Sequence, residues 1–393
     1  MSTTYLMPTY SRQPISFTRG SGSWLYTEDD TPYLDALTGI AVCGLGHCHP
    51  QVTEAIQQQA STLVHTSNLF SIDWQERAGE ALCVAAQMDS VFFANSGAEA
   101  NEAALKMARL YAHNLGFKRP KVIVMEQSFH GRTLLALSAT ANPKAREGFF
   151  TLDDDFIRVP FGDIAAIKQA ANDYDDICAI FVEPIQGEGG LNTAANGFSY
   201  LEDLQAICDT HNWLFMLDEV QTGNGRTGKP FAYQHSQARP DVLTTAKGLG
   251  NGFPVGACMV RGRAKDLFGA GSHGSTYGGT PLASRVVHSV YEVLMQSDIM
   301  ENAVKEGQFI RDSISQSLKQ HEVTTRGAGV MIGIVLPHQM DCSQLVARAR
   351  DDQNLIINVT GNHVIRLLPP LNISRDESEQ VVDRLVNLLN PLL

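Results

Sequence analysis

Lys247 is the only charged residue in Thr244-Thr245-Ala246-Lys247-Gly248-Leu249-Gly250-Asn251-Gly252. Lysine normally sits on solvated faces. Among small, uncharged neighbours it is desolvated, which lowers its pKa and suits the amine to imine formation. Asp218, in Leu217-Asp218-Glu219-Val220-Gln221-Thr222-Gly223, follows the apolar run 213–217. A carboxylate at the carboxyl end of a buried strand lies where open α/β sheets bind ligands, and it can pair with a protonated ring nitrogen. Glu219 reads as the bland member of that pair. Asn95-Ser96-Gly97-Ala98-Glu99-Ala100-Asn101 leads from a strand into a helix. Its small residues let backbone N–H groups approach an anion, and the helix dipole favours phosphate. Ser272-His273-Gly274-Ser275-Thr276-Tyr277-Gly278-Gly279-Thr280 sets hydroxyls among glycines, suited to phosphate or carboxylate. Taken singly, these segments also fit a Ser96 helix cap, a solvated strand end and a polar turn. Together, an imine-forming lysine, a carboxylate for a pyridinium and phosphate donors are what pyridoxal 5′-phosphate (PLP) requires.

Rigid elements must hold these segments. Residues 91–94 read as a strand and 97–114 as a helix, with Ala100, Ala104, Met107, Ala108 and Tyr111 at helical spacing. Residues 121–125, 178–183, 213–217 and 256–260 read as further strands, and 200–211 as a helix. Strand-helix alternation with almost wholly apolar strands predicts a mainly parallel sheet covered on both faces. The glycines after Lys247 superficially suggest a dinucleotide loop, but their spacing is wrong and no strong strand is expected before them. The last third reads as a smaller α+β unit. It has a helix over 301–319 with Val304, Phe309, Ile310, Ile314 and Leu318 inward. Strands follow over 330–336, 355–359 and 364–368. A final helix opens at the capping box Ser374-Arg375-Asp376-Glu377 and turns Val381, Val382, Leu385, Leu388 and Leu389 inward. The first 50 or so residues read as irregular and Gly-rich.

Composition narrows the function. The 393 residues allow two to three domains at about 150 residues each. With 44% hydrophobic and 18% charged residues, disorder is a poor reading. The net charge of −12 argues against a nucleic-acid or anionic-lipid surface. No apolar run reaches the roughly 18 residues of a membrane span, and Met1-Ser2-Thr3-Thr4-Tyr5 has no signal-peptide character. Seven scattered cysteines without a CxxC pair read as reduced thiols of a cytosolic protein. His47, Cys48 and His49 are too crowded for a tetrahedral metal site, so no metal is expected. His130 reads as structural and Asp153-Asp154-Asp155 as a solvated charge run.

The ordered segments resemble class III, fold-type I aminotransferases almost from end to end. The likeness runs from Tyr33-Leu34-Asp35 and Leu45-Gly46-His47-Cys48-His49-Pro50 to Val364-Ile365-Arg366-Leu367-Leu368-Pro369-Pro370-Leu371. It implies an α/β fold: a large PLP-binding domain over residues 51–285 with a mainly parallel seven-stranded sheet, and a small α+β domain over 286–393. Residues 1–50 are expected to pack with the small domain. The resemblance also implies a homodimer with shared active sites and small-molecule substrates, with neither nucleic acid nor membrane as partner. The reaction it implies is amino transfer from N²-acetyl-L-ornithine to 2-oxoglutarate. Succinylornithine and N-succinyl-diaminopimelate are the alternative donors. A non-catalytic binding relative is disfavoured by the presence of Lys247, Asp218 and Arg132, and a nucleotide-binding oxidoreductase by the lack of a proper dinucleotide loop.

Residue roles follow from the same likeness. Lys247 would condense with PLP and shuttle the substrate proton. Asp218 would pair with the pyridine nitrogen, with Val220 against the ring and Gln221 near the phenolic oxygen; Glu219 counts with them as cofactor-binding. Gly97 and Ala98 would give phosphate amides, and Phe129 would stack on the ring. Arg132 would bind the substrate α-carboxylate, a task suited to a planar, bidentate cation. Ser275 and Thr276 would serve the neighbouring subunit's site, touching substrate and phosphate. Glu188 would neutralise Arg366 for the ω-amino donor and release it for 2-oxoglutarate. Gly39 stands where ornithine δ-aminotransferases carry a tyrosine, which would leave room for an acyl group; otherwise it serves a turn with positive φ. Cys43 and Thr280 depart from the family's frequent asparagines.

Overall fold

Six consecutive apolar residues, Ile177–Val182, leave no polar face, so this strand needs cover on both sides. The computed structural model, which describes residues 5–393, sets it within a seven-stranded sheet. The spatial order is Ser90–Ala94, Gly256–Val260, Val242–Thr245, Leu214–Asp218, Ile177–Val182, Lys121–Met125, Phe156–Val159. The last five run parallel; Gly256–Val260 is antiparallel to both of its neighbours. Helix Gly97–Asn114 lies on the sheet through Ala103, Ala104, Met107 and Ala108, all buried, and Ser96 Oγ caps it by accepting Glu99 N–H at 3.2 Å. This is the α/β sheet expected of a fold-type I enzyme.

Several local expectations need correction. A strand, Val242–Thr245, does precede Lys247. Phe156–Val159 and Thr324–Ala328 are also strands that the pattern reading passed over. Helix Ile299–Ser317 turns Ala303, Glu306, Gly307, Ile310 and Ile314 inward and leaves Val304 exposed. The reason is Gly307: a Cβ there would lie 1.8 Å from Gly329 O, so the helix face is set by that close backbone approach. The strand expected over 355–359 is split into Leu355–Ile356, in one sheet, and Asn358–Thr360, in another.

The first 50 residues are less irregular than expected. Arg19–Ser21, Trp24–Tyr26 and Pro32–Asp35 form a sheet with Leu355–Ile356, pairing Leu34 with Leu355 in parallel. The N-terminal segment is thus bonded to the C-terminal third. There Thr324–Ala328, Met331–Val335, Val364–Leu367 and Asn358–Thr360 make a four-stranded antiparallel sheet. All seven cysteines are free. Among the described residues no helix is long and apolar enough to cross a membrane; most of the Met1–Tyr5 reading falls outside those residues.

The capping box forms as the sequence predicts: Ser374 Oγ accepts Glu377 N–H at 3.2 Å and Glu377 Oε2 accepts Ser374 N–H at 2.9 Å. The same carboxylate accepts Trp24 Nε1–H at 2.8 Å and the Ser23 hydroxyl at 3.1 Å, fastening the N-terminal strands to the last helix. Glu377→Ala removes these three bonds to the carboxylate and leaves the Glu377 N–H on Ser374 Oγ. It should lower unfolding stability by about 2–3 kcal/mol, and an unshifted urea midpoint would show that the clamp contributes nothing.

Candidate active site

Parallel strands deliver their carboxyl ends to one edge of the sheet. Glu183 follows Ile177–Val182, Asp218 closes Leu214–Asp218, and Lys247 comes just after Val242–Thr245; these three strands are neighbours. All three side chains line a cavity of about 370 Å³, together with Val42, Phe129 and Glu188. A larger hollow, about 560 Å³, lies on the Ser275 side and has no lysine or arginine in its wall.

Asp218 is buried and well partnered. Oδ2 accepts Asn101 Nδ2–H at 2.7 Å and faces His130 Nδ1 at 2.8 Å; Oδ1 accepts Val220 N–H at 3.0 Å. Asn101 also donates to His130 O at 2.6 Å, and its own Oδ1 accepts the Thr244 hydroxyl at 2.6 Å. His130 stacks on Phe181 with centroids 4.4 Å apart. The imidazole thus orients the carboxylate rather than standing idle, a role the sequence reading left out. Gly97 and Val220 meet closely: a Cβ on Gly97 would lie 2.7 Å from Val220 Cγ1. At the start of that helix the Gly97 and Ala98 N–H groups have no protein acceptor among the described residues.

Lys247 has a left-handed φ of 48°, and its side-chain amine makes no hydrogen bond among the described residues. Burial lowers its pKa; Glu188 and Asp218 work against that shift, and Arg366 adds to it. Glu188 and Arg366 meet, Oε1 to Nη1 at 2.6 Å, although far apart in sequence. Arg366 is 1% exposed and also donates to Gly187 O, Gln221 Oε1 and Asn358 Oδ1. Its Nε has no partner. Burial opposes the Glu188 charge, but Arg366 and Lys247 outweigh it and hold the carboxyl below its ordinary pKa.

Phe129 lines the cavity, and the exposed Arg132 guanidinium lies 5.3 Å from its ring centre, with no carboxylate partner among the described residues. Glu183 accepts Phe129 N–H at 2.9 Å and Gly187 N–H at 3.1 Å. The sequence reading passed over it, yet it ends an apolar strand just as Asp218 does, so the same signal was available.

Other expected members lie elsewhere. Glu219 does not line the cavity. Its buried carboxylate accepts Ala232 N–H at 2.6 Å, Tyr233 N–H at 2.8 Å and the Thr222 hydroxyl at 2.9 Å. These bonds clamp the 219–233 loop, and burial pushes the carboxyl up to about 7 against them. Ser275 is bonded to Asn95 Nδ2 and Gly278 N, and Thr276 is exposed; neither lines this chain's own cavity. Thr280 caps helix Pro281–Gln296. Cys43 is half-buried beside Gly252. His47 bonds Asp35 at 2.7 Å, which, with Cys43, raises it to about 10 against burial. The Asp153 run is exposed and pairs with Arg146 and Arg109. Gly39 sits in a left-handed turn, Thr38 to Ala41, with φ of 50, 66, 67 and 64°. A Cβ on it would meet only Val42, the residue that enters the cavity. Both readings of Gly39 therefore meet at one point.

The family model Aminotransferase class-III matches residues 5–389, and the chain belongs to the class III aminotransferases. It is 48% identical to an acetylornithine aminotransferase of Nitrosomonas europaea over 98% of this chain and 97% of that one. Among solved structures it resembles the ornithine aminotransferase of Toxoplasma gondii, with a TM-score of 0.93 and 31% identity over 98% of this chain and 93% of that one. It also resembles the acetylornithine aminotransferase of Elizabethkingia anophelis, with a TM-score of 0.86 and 30% identity over 98% and 96%.

A lowered pKa leaves more neutral amine at any given pH. Reductive methylation of the ligand-free protein at about pH 8 should therefore modify Lys247 ahead of exposed lysines such as Lys118 and Lys319. Peptide mapping by mass spectrometry reads this out, and equal labelling of all three contradicts the shift.

Proposed function

We propose that the cavity binds PLP and that the protein moves the δ-amino group of N²-acetyl-L-ornithine to 2-oxoglutarate, yielding N-acetyl-L-glutamate 5-semialdehyde and L-glutamate. The groups left unpaired fit that cofactor. Among the described residues the Lys247 amine has no hydrogen-bond partner, and the Gly97 and Ala98 amides at the start of an 18-residue helix have no acceptor, as a phosphate would need. Asp218, fixed by His130 and Asn101, can hold a protonated ring nitrogen, with Phe129 and Val220 against the ring faces. PLP supplies the electron sink that lets a proton leave the amino-bearing carbon. Lys247, once released as an amine, takes that proton and returns it.

The Glu188–Arg366 pair carries the reading. One arginine, Arg132, lines the cavity in the open, and the lining Glu188 masks a second, the buried Arg366 behind it. A donor with a single free carboxylate needs Arg132 alone. A dicarboxylate acceptor needs both, and can displace Glu188 from Arg366. The acetylornithine aminotransferases among the relatives support this donor.

The protein acts as a cytoplasmic homodimer in this reading. Ser275 and Thr276 lie away from their own cavity, in a loop that Asn68 ties to the exposed apolar residues Leu69 and Phe70; Tyr277 is exposed beside them. A partner subunit covering that face would receive both hydroxyls in its site.

A panel of amino donors on the PLP-loaded enzyme tests the assignment. N²-acetyl-L-ornithine should give the highest kcat/KM; a higher value for N²-succinyl-L-ornithine or N-succinyl-diaminopimelate overturns the acyl group. The gate makes a second prediction. Glu188→Gln leaves Arg366 open in both half-reactions, so the ratio of kcat/KM for glutamate to that for acetylornithine should rise about tenfold, equivalent to ~1.4 kcal/mol. Single-turnover rates that fall equally in both halves would exclude the gate.

A further inference from the structure

Glu183 is 6% exposed, and no lysine or arginine bonds it among the described residues. Its two oxygens serve two separate loops. Oε1 takes the N–H of Phe129, and Oε2 takes that of Gly187, next to Glu188. Neither amide has another acceptor among the described residues. One loop therefore brings the ring-stacking Phe129 and Arg132 to the cavity, and the other brings the carboxylate that masks Arg366.

We propose that Glu183 is a positioning residue that sets the spacing between Phe129 and Glu188, and with it the balance between the masked and open states of Arg366. The chemistry of the side chain explains why a carboxylate is used. Two converging N–H donors need two acceptors on one rigid group. A glutamine offers one acceptor, and its NH₂ group opposes the second N–H. A leucine would satisfy neither. Burial raises the carboxyl to about 7, His130 acts against that rise and Asp218 adds to it, so the acceptor pair is held at an electrostatic disadvantage that the two amides and His130 help to relieve. This inference rests on the proposed transamination for its kinetic consequence, whereas its bonds can be measured without any reaction.

Glu183→Gln in the full-length protein is the test, read by amide hydrogen exchange and by kinetics. The Phe129 or the Gly187 amide should exchange about tenfold faster or more, in both the PLP-free and the PLP-loaded protein, while the amides of Ile177–Val182 keep their protection. In the loaded enzyme, the ratio of kcat/KM for glutamate to that for acetylornithine should rise about fivefold, because Glu188 no longer sits squarely on Arg366. Glu183→Asp keeps both acceptors on a shorter stem and should lie between wild type and Glu183→Gln on both measures. Should Glu183→Gln not fold, Glu183→Asp alone must show faster exchange at one of the two amides and a shifted ratio. Unchanged protection at both amides overturns the proposal, as does an unchanged ratio in a variant whose amides do exchange faster. If the wild type does not use acetylornithine, the proposed function fails. The ratio is then taken with whichever donor the panel identifies.

Discussion

Glu183, Asp218 and Lys247 stand at the ends of three neighbouring parallel strands, where the sheet withdraws them wholly or partly from water. A charge in such a setting must be met by fixed donors or by opposite charge. Much of the local chain is arranged to do so. The Phe129 and Gly187 amides turn toward Glu183, and Val220, Asn101 and His130 turn toward Asp218. The loops after the strands take their paths from these bonds, and the cavity is the space they leave. The Lys247 amine is the member left without a hydrogen-bond partner among the described residues.

Arg366 poses the same problem with the opposite sign. A guanidinium at 1% exposure has one carboxylate, one main-chain carbonyl and two side-chain amides around it, and its Nε is unsatisfied. Removing one partner of a buried pair leaves an uncompensated charge, which is far more costly than forming the pair is rewarding. An incoming carboxylate can replace Glu188 without exposing that charge. The Glu188–Arg366 pair joins the loop after a central strand to the antiparallel sheet of the C-terminal third, so the site exists only where those two parts meet.

Cavity-facing and loop-holding carboxylates differ here by what their neighbours offer. Asp218 and Glu219 are adjacent in sequence and both buried. Asp218 faces an imidazole and the cavity, whereas Glu219 faces two backbone N–H groups of the turn Ala232–His235. Strand alternation sends the two side chains to opposite sides, so one faces the cavity and the other holds the loop.

The sequence by itself determined the central elements and the chemical cast. Gly97–Asn114, Lys121–Met125 and Gly256–Val260 coincide with their expected limits, because unbroken apolar runs and helical spacing are local properties. The order of Ser96-Gly97, Asp218 and Lys247 suggested a cavity with a lysine, a carboxylate and free amides, and these residues do line one cavity. Tertiary structure decided what local pattern does not encode. Val242–Thr245 can be a fully buried strand because the Thr244 hydroxyl is satisfied by Asn101 and the Leu217 carbonyl, partners distant in sequence. The inward face of Ile299–Ser317 follows from the approach of Gly307 to Gly329. The bland reading of Glu219 suited its position, and its inclusion with the cofactor residues did not, because direction along a strand end depends on which groups fold back to meet it. Glu183 went unread for the same reason: its role is to bridge two loops, and a bridge is defined by its two ends. Residue types and spacing set which charges are buried, but only the folded chain decides which donors reach them.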